Sequence, residues 1–146
     1  MWTTFLLKLG GALLSIFATA NIADWFFSGS KWAHKYYAAF PEIWRPLGEH
    51  AGSGEEGRVI RSAIFLGFEF AFAFVLFYLF FQPGVVFSSP LTRGLAVGLI
   101  LWLLIPVPLL LTQHLFIKYH KVSTLGHLAT WYVKLTAASL IMAFMF

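Results

Sequence analysis

The chain has 146 residues, of which 60% are hydrophobic and 11% charged, against about 45–50% and about 25% in soluble domains. A soluble fold of this size has too little interior to hide so much apolar side chain, so lipid must serve as the solvent. The formal charge of +4 lies mostly between the apolar runs, where it sets membrane orientation and gives no sign of nucleic-acid binding. The absence of cysteine excludes disulfides, thiolate metal sites, iron–sulfur ligation and thiol nucleophiles.

A bilayer core about 30 Å thick takes roughly 20 residues of helix, and four stretches reach that length: 5–27, 59–81, 95–119 and 125–146. Lipid cannot satisfy the edges of an open sheet, and four strands cannot close a barrel, so the spans are helices. The first run carries Ala18-Thr19-Ala20, which has the small-residue look of a signal-peptide cleavage site. No basic region precedes it and Lys8 interrupts it, so it is expected to be a retained span. Residues 31–45 mix Trp32, Tyr36, Tyr37, Phe40 and Trp44 with Lys31, Lys35 and Arg45, the composition of a short interfacial helix. The segment GEHAGSGEEG (48–57) then reads as a flexible polar link, and Gln82-Pro83-Gly84 with Ser88-Ser89-Pro90 as the second loop. Ser123 or Thr124 is the expected N-cap of the last span. The expected fold is all-α, a single four-helix transmembrane domain covering 1–146, with short connections placing consecutive spans side by side.

An even number of spans puts both termini on one side. The first and third connections, on the other side, carry Lys31, Lys35, Arg45, Arg58, Arg61, Lys118 and Lys121, whereas the terminal side has Arg93 and Lys8. The positive-inside rule makes the basic side cytoplasmic and both termini non-cytoplasmic, in a multi-pass cell-membrane protein.

Charges within a span are costly and mark candidate sites. Glu69 lies about ten residues, and Lys134 about nine, from the basic-side ends of their spans, which at about 1.5 Å per residue is nearly one depth. An ion pair between them is expected. Asn21 and Asp24 share a face at the same end of the first span, Thr112, Gln113 and His114 close the third, and His127, Thr130 or Trp131, and Lys134 form a stripe on the fourth. The terminal-side half offers little beyond Lys8, Ser15 and Thr136, so the polar cluster is expected on the basic side beneath an apolar outer half. Such a cluster is read as a buried pair fixing helix register, a pocket for a small polar ligand or lipid headgroup, or a proton or ion path; the lack of a polar ladder through the outer half opposes the last.

Pro106 and Pro108 withhold helical donors from the carbonyls of Trp102 and Leu104, so a kink is expected there. Gly10, Gly11, Ser15 and Ala18 give the first span a small face, and Gly94 with Gly98 gives one to the third. His114 and His127 lie near one interface on consecutive spans, the arrangement that haem or a pigment held at either would use, but no spacing signature supports it. No metal and no cofactor is expected, and phosphate loops, nucleophile elbows and zinc motifs are absent.

Three segments, DWFFSGSKW (24–32), GLAVGLILWLL (94–104) and TWYVKLTAASLIMAFM (130–145), resemble a bacterial family of small four-span membrane proteins known only as a domain of unknown function. The chain departs from that pattern by lacking a proline after the first serine and by its long glutamate-bearing loop. The resemblance implies a four-span topology in a bacterial inner membrane and no particular activity.

The leading functional expectation is a non-catalytic membrane subunit or accessory protein, with lipids and other membrane chains or further copies of itself as partners. A small transporter or ligand-binding protein using Glu69 and Lys134 is the alternative. An enzyme would need His114, His127 or Asp24 in acid–base roles, and no catalytic residue is assigned.

Overall fold

The computed structural model describes residues 2–30, 35, 53–81, 83, 86, 87, 89–116 and 121–146. Helix α1 runs Trp2–Asp24 and continues into a π-helical turn, Trp25–Gly29. Helix α2 is Ser53–Phe81, α3 Pro90–Leu104, α4 Pro106–Phe116 and α5 Lys121–Met145. No strand occurs among the described residues. Four stretches are long and apolar enough to cross a membrane: Trp2–Phe27, Ile60–Phe81, Pro90–Phe116 and Lys121–Met145. Most of the expected interfacial segment, 31–45, lies outside the described residues.

Two boundaries differ from expectation. The helix of the second span begins within the GEHAGSGEEG segment, at Ser53, because glutamate and arginine support a helix once its apolar continuation is anchored. The last helix begins at Lys121, which places Ser123 and Thr124 inside its first turn, where both are buried and neither serves as N-cap.

The last helix occupies the centre. Helix α5 packs on α1, α2, α3 and α4, whereas α2 and α3, consecutive in sequence, are not close-packed neighbours. Its packing face is small or polar (Thr130, Ala138, Ser139 and Ala143 are buried on it), which lets other backbones approach. The tightest approach is to α3. A Cβ on Gly98 would stand 2.6 Å from the Cα of Thr136, and one on Gly94 2.8 Å from the Cα of Leu140. Helix α1 turns Ala12, Ile16, Ala20 and Ala23 inward, at helical spacing. Its Ser15 and Ala18 stay exposed, so the small face read from the sequence is mostly the outer one.

Helix α2 buries Gly67, Ala71, Phe74, Val75 and Tyr78 and leaves Phe65, Phe68, Phe72 and Phe80 exposed. Phenylalanine on both sides of this helix erases the apolar contrast that would reveal its inward face; the Gly67–Ala71 pair marks it instead. A Cβ at Gly67 would collide with the Asn21 amide of α1.

The proline pair breaks the third span. Helix α3 ends at Leu104, Ile105 forms the junction, and α4 starts at Pro106. Neither proline has an N–H to give the carbonyls of Trp102 and Leu104. Continuity is kept by Ile105 N–H donating to Leu101 O (3.0 Å) and Leu109 N–H donating to Ile105 O (3.4 Å). Just before the break, the indole N–H of Trp102 donates to Leu128 O at 2.8 Å, and its ring meets Tyr132 edge-on, fastening α3 to α5.

These contacts predict opposite fates for two glycines. Gly98→Ala forces backbone apart and should cost about 1–3 kcal/mol, whereas Gly10→Ala enters open space and should stay within about 0.5 kcal/mol. Denaturation midpoints of the purified protein in detergent measure both; equal effects would refute the close α3–α5 approach.

Candidate functional site

Asp24 is the last residue of α1, where the backbone widens into the π-helical turn. Lys134 lies more than three turns into α5. Side chains on a helix lean towards its N-terminus, so the Lys134 stem is directed back to the basic side, where α1 ends. Its ammonium donates to both Asp24 carboxylate oxygens, at 2.8 Å to Oδ2 and 3.1 Å to Oδ1. The same Nζ lies 4.8 Å from the Trp131 ring centre and 5.2 Å from that of Phe70. Those two rings meet edge to face with centres 6.0 Å apart. The cation is therefore held between a carboxylate and two π faces, the latter contributing about 0.5–2 kcal/mol each.

The partner of Lys134 is thus Asp24, in place of the expected Glu69. Glu69 has a comparable depth but the wrong azimuth. It stands two residues from both Gly67 and Ala71, the inward face of α2, and two residues turn a helix by about 200°. Its carboxylate is exposed on the outer face beside Phe65, Leu66 and Phe72, and among the described residues it has no hydrogen-bond or ion-pair partner. The burial of the pair is unequal. The Lys134 side chain is 9% exposed and that of Asp24 37%, so loss of the carboxylate strands a buried cation, while loss of the cation leaves an anion that water can reach.

The other expected members divide into separate contacts. Asn21 donates its amide to Phe17 O at 2.9 Å and packs on Gly67, serving the α1–α2 contact. His127, half-buried on α5 two turns before Lys134, interacts electrostatically with Asp24. Thr130 bonds back to Gly126 O, and Thr112 to Pro108 O. His114 Nδ1 is 3.0 Å from Thr124 Oγ1, tying α4 to α5. Gln113 is half-buried on α4. Among the described residues no group of three or more His, Cys, Asp or Glu is placed to hold a metal.

Two features escaped the sequence reading. One is the aromatic wall of Phe70 and Trp131 around the cation, for which the i, i+3 spacing of Trp131 and Lys134 was the available signal. The other lies at the terminal-side end, expected to be apolar. There the Tyr78 hydroxyl, Arg93 Nε, Ser139 Oγ and Thr136 Oγ1 are buried without hydrogen-bond partners.

No family model matches the chain, and neither a curated protein nor a solved structure is significantly similar to it. The likeness to a four-span bacterial family therefore rests on its three segments alone.

A double-mutant cycle separates the two carboxylates. Asp24→Asn and Lys134→Met should couple by about 1–3 kcal/mol, whereas Glu69→Gln and Lys134→Met should add to within about 0.5 kcal/mol. Unfolding free energies in detergent give both figures, and strong coupling at Glu69 would place Lys134 in a different pair.

Proposed function

We propose that this chain is a small non-catalytic membrane subunit, and that Glu69 marks the face on which another membrane chain packs. The carrying observation is the position of that carboxylate. It stands nine residues after Ile60 and twelve before Phe81, the ends of its span, so it lies near mid-depth. It is turned outward and has no partner among the described residues. A charge at the centre of a membrane helix costs about 2.5–3.5 kcal/mol on insertion scales, and such residues face protein or water. A neighbouring helix that offers a cation or strong hydrogen-bond donor at the same depth removes that cost. A second copy meeting across Glu69 would set two carboxyls together, which demands a shared proton, so a different chain is favoured. The exposed Ser15–Ala18 ridge of α1 supplies a further small surface for close packing.

The Asp24–Lys134 pair is, in this reading, structural: it joins the first and last spans and sets their register. The transport reading loses its main support, because its two charges do not share a cluster. We place the basic connections in the cytoplasm and both termini outside.

The test is native mass spectrometry of the chain extracted in mild detergent, with Glu69→Leu beside Leu115→Ala, a change on a distant exposed surface. Wild type and Leu115→Ala should retain a stoichiometric membrane partner with a mid-span Lys, Arg or His, and Glu69→Leu should lose it. A wild type that is monomeric and free of protein partners sinks the proposal, as does undiminished binding by Glu69→Leu. For orientation, the cysteine-free background makes single replacements clean. A cysteine at Ser89 should react with an impermeant maleimide in intact cells, and one at Ser53 only after permeabilisation; the reverse pattern inverts the topology.

A further inference from the structure

The terminal-side end of the bundle holds polar groups that neither the Asp24–Lys134 pair nor the Glu69 face uses. Arg93 sits on the first turn of α3, three residues after Pro90. Its Nη2 donates to Ala143 O near the end of α5, at 3.0 Å, while its Nε is buried without a partner. Ser139 lies one turn before Ala143 on the same face of α5; it is fully buried and its Oγ is unpartnered. Tyr78 of α2 is 3% exposed, belongs to the buried cluster that includes Met142 and Ala143, and also has an unpartnered hydroxyl. The Arg93 charge acts electrostatically on that phenol. Three helices thus each carry an unmade hydrogen bond towards the terminal-side end of the bundle, a state native proteins avoid for buried groups.

The local charge balance says what is missing. The chain has six acidic side chains, and Glu69 is the last of them in sequence. Asp24 is bound to Lys134 at the opposite end, Glu69 is at mid-span, and Glu42, Glu49, Glu55 and Glu56 precede the second span. Among the described residues no carboxylate side chain pairs with Arg93, which donates to the carbonyl end of α5. A guanidinium edge with two hydroxyl donors is a donor-rich, net-positive set, the chemistry that recognises a tetrahedral oxyanion. Depth points the same way. Arg93 and Tyr78 each lie three residues inside a helix end, about 4.5 Å, next to the headgroup layer.

We propose that Arg93, Tyr78 and Ser139 form a site for a phosphate oxyanion, either free phosphate or the phosphodiester of a lipid headgroup, at the terminal-side end of the bundle. Arg93 Nε and the two hydroxyls donate to the oxyanion, while Nη2 keeps its bond to Ala143 and holds the guanidinium in place.

The experiment uses the full chain, delipidated in dodecyl maltoside, which carries no phosphate. Its thermal midpoint is followed against inorganic phosphate, dioleoylphosphatidylglycerol and phosphate-free dioleoylglycerol, at constant ionic strength. A saturable rise with a phosphate-bearing probe and none with dioleoylglycerol is expected. Protection by phosphatidylglycerol alone identifies a headgroup site, and protection by both probes an oxyanion site open to free phosphate. Tyr78→Phe and Ser139→Ala each remove one hydroxyl with little change of shape and should weaken the apparent affinity at least about tenfold, as loss of a hydrogen bond to a charged group does. Arg93→Gln should abolish the response; should that variant not fold, the two hydroxyl variants decide. No protection by either phosphate-bearing probe, equal protection by dioleoylglycerol, or unchanged affinity in Tyr78→Phe overturns the site and leaves the three groups to water.

Discussion

A buried ammonium group in the central helix is the constraint around which this bundle is arranged. Lys134 is nearly enclosed, and a cation in so apolar a setting must be neutralised or excluded. Asp24 meets that requirement from the end of α1, at 2.8 Å, and in doing so joins the first span to the last. Phe70 and Trp131 complete the enclosure from α2 and α5, so three of the four spans meet at one charge. Truncation of the lysine would release the carboxylate towards water, whereas truncation of the aspartate would leave the cation stranded; the asymmetry follows from their unequal exposure.

A second principle, close approach through small residues, organises the remaining contacts. Gly94 and Gly98 bring α3 against Leu140 and Thr136 of α5, and Gly67 admits the Asn21 amide between α1 and α2. Lipid supplies no hydrophobic driving force between helices, so close packing and hydrogen bonds must hold them together. The Trp102–Leu128 bond and the His114–Thr124 contact serve this end on either side of the proline break. The break falls between two points of attachment, so both halves of the third span stay fastened to α5.

What is left over after these internal pairings defines the surfaces available for function. One is the outward carboxylate at mid-depth on α2; the other is the set of buried, unpaired donors where α2, α3 and α5 end. They differ in sign and depth. The first asks for a donor from a neighbouring helix, and the second for an anion from the headgroup layer or from solution. Neither draws on the Asp24–Lys134 pair, whose two charges meet each other within the chain.

Four apolar runs, a proline pair and the Gly94–Gly98 spacing were legible in the residues alone, since span length, helix interruption and small-residue contact are local properties of a sequence. Depth was legible too, because it depends only on the distance along a helix from the interface. Azimuth was not. Glu69 and Lys134 agree in depth, yet phenylalanine on every side of α2 leaves only the small Gly67–Ala71 pair to say which way it turns, and one rotation separates an ion pair from an exposed charge. The grouping of Tyr78, Arg93 and Ser139 was hidden for a related reason: they lie on three helices, 15 and 46 positions apart in sequence. The sequence by itself determined how many apolar spans there are and how far along its span each polar group lies. Only the tertiary structure decided which of those groups face one another, because facing depends on how four cylinders are rotated and packed together.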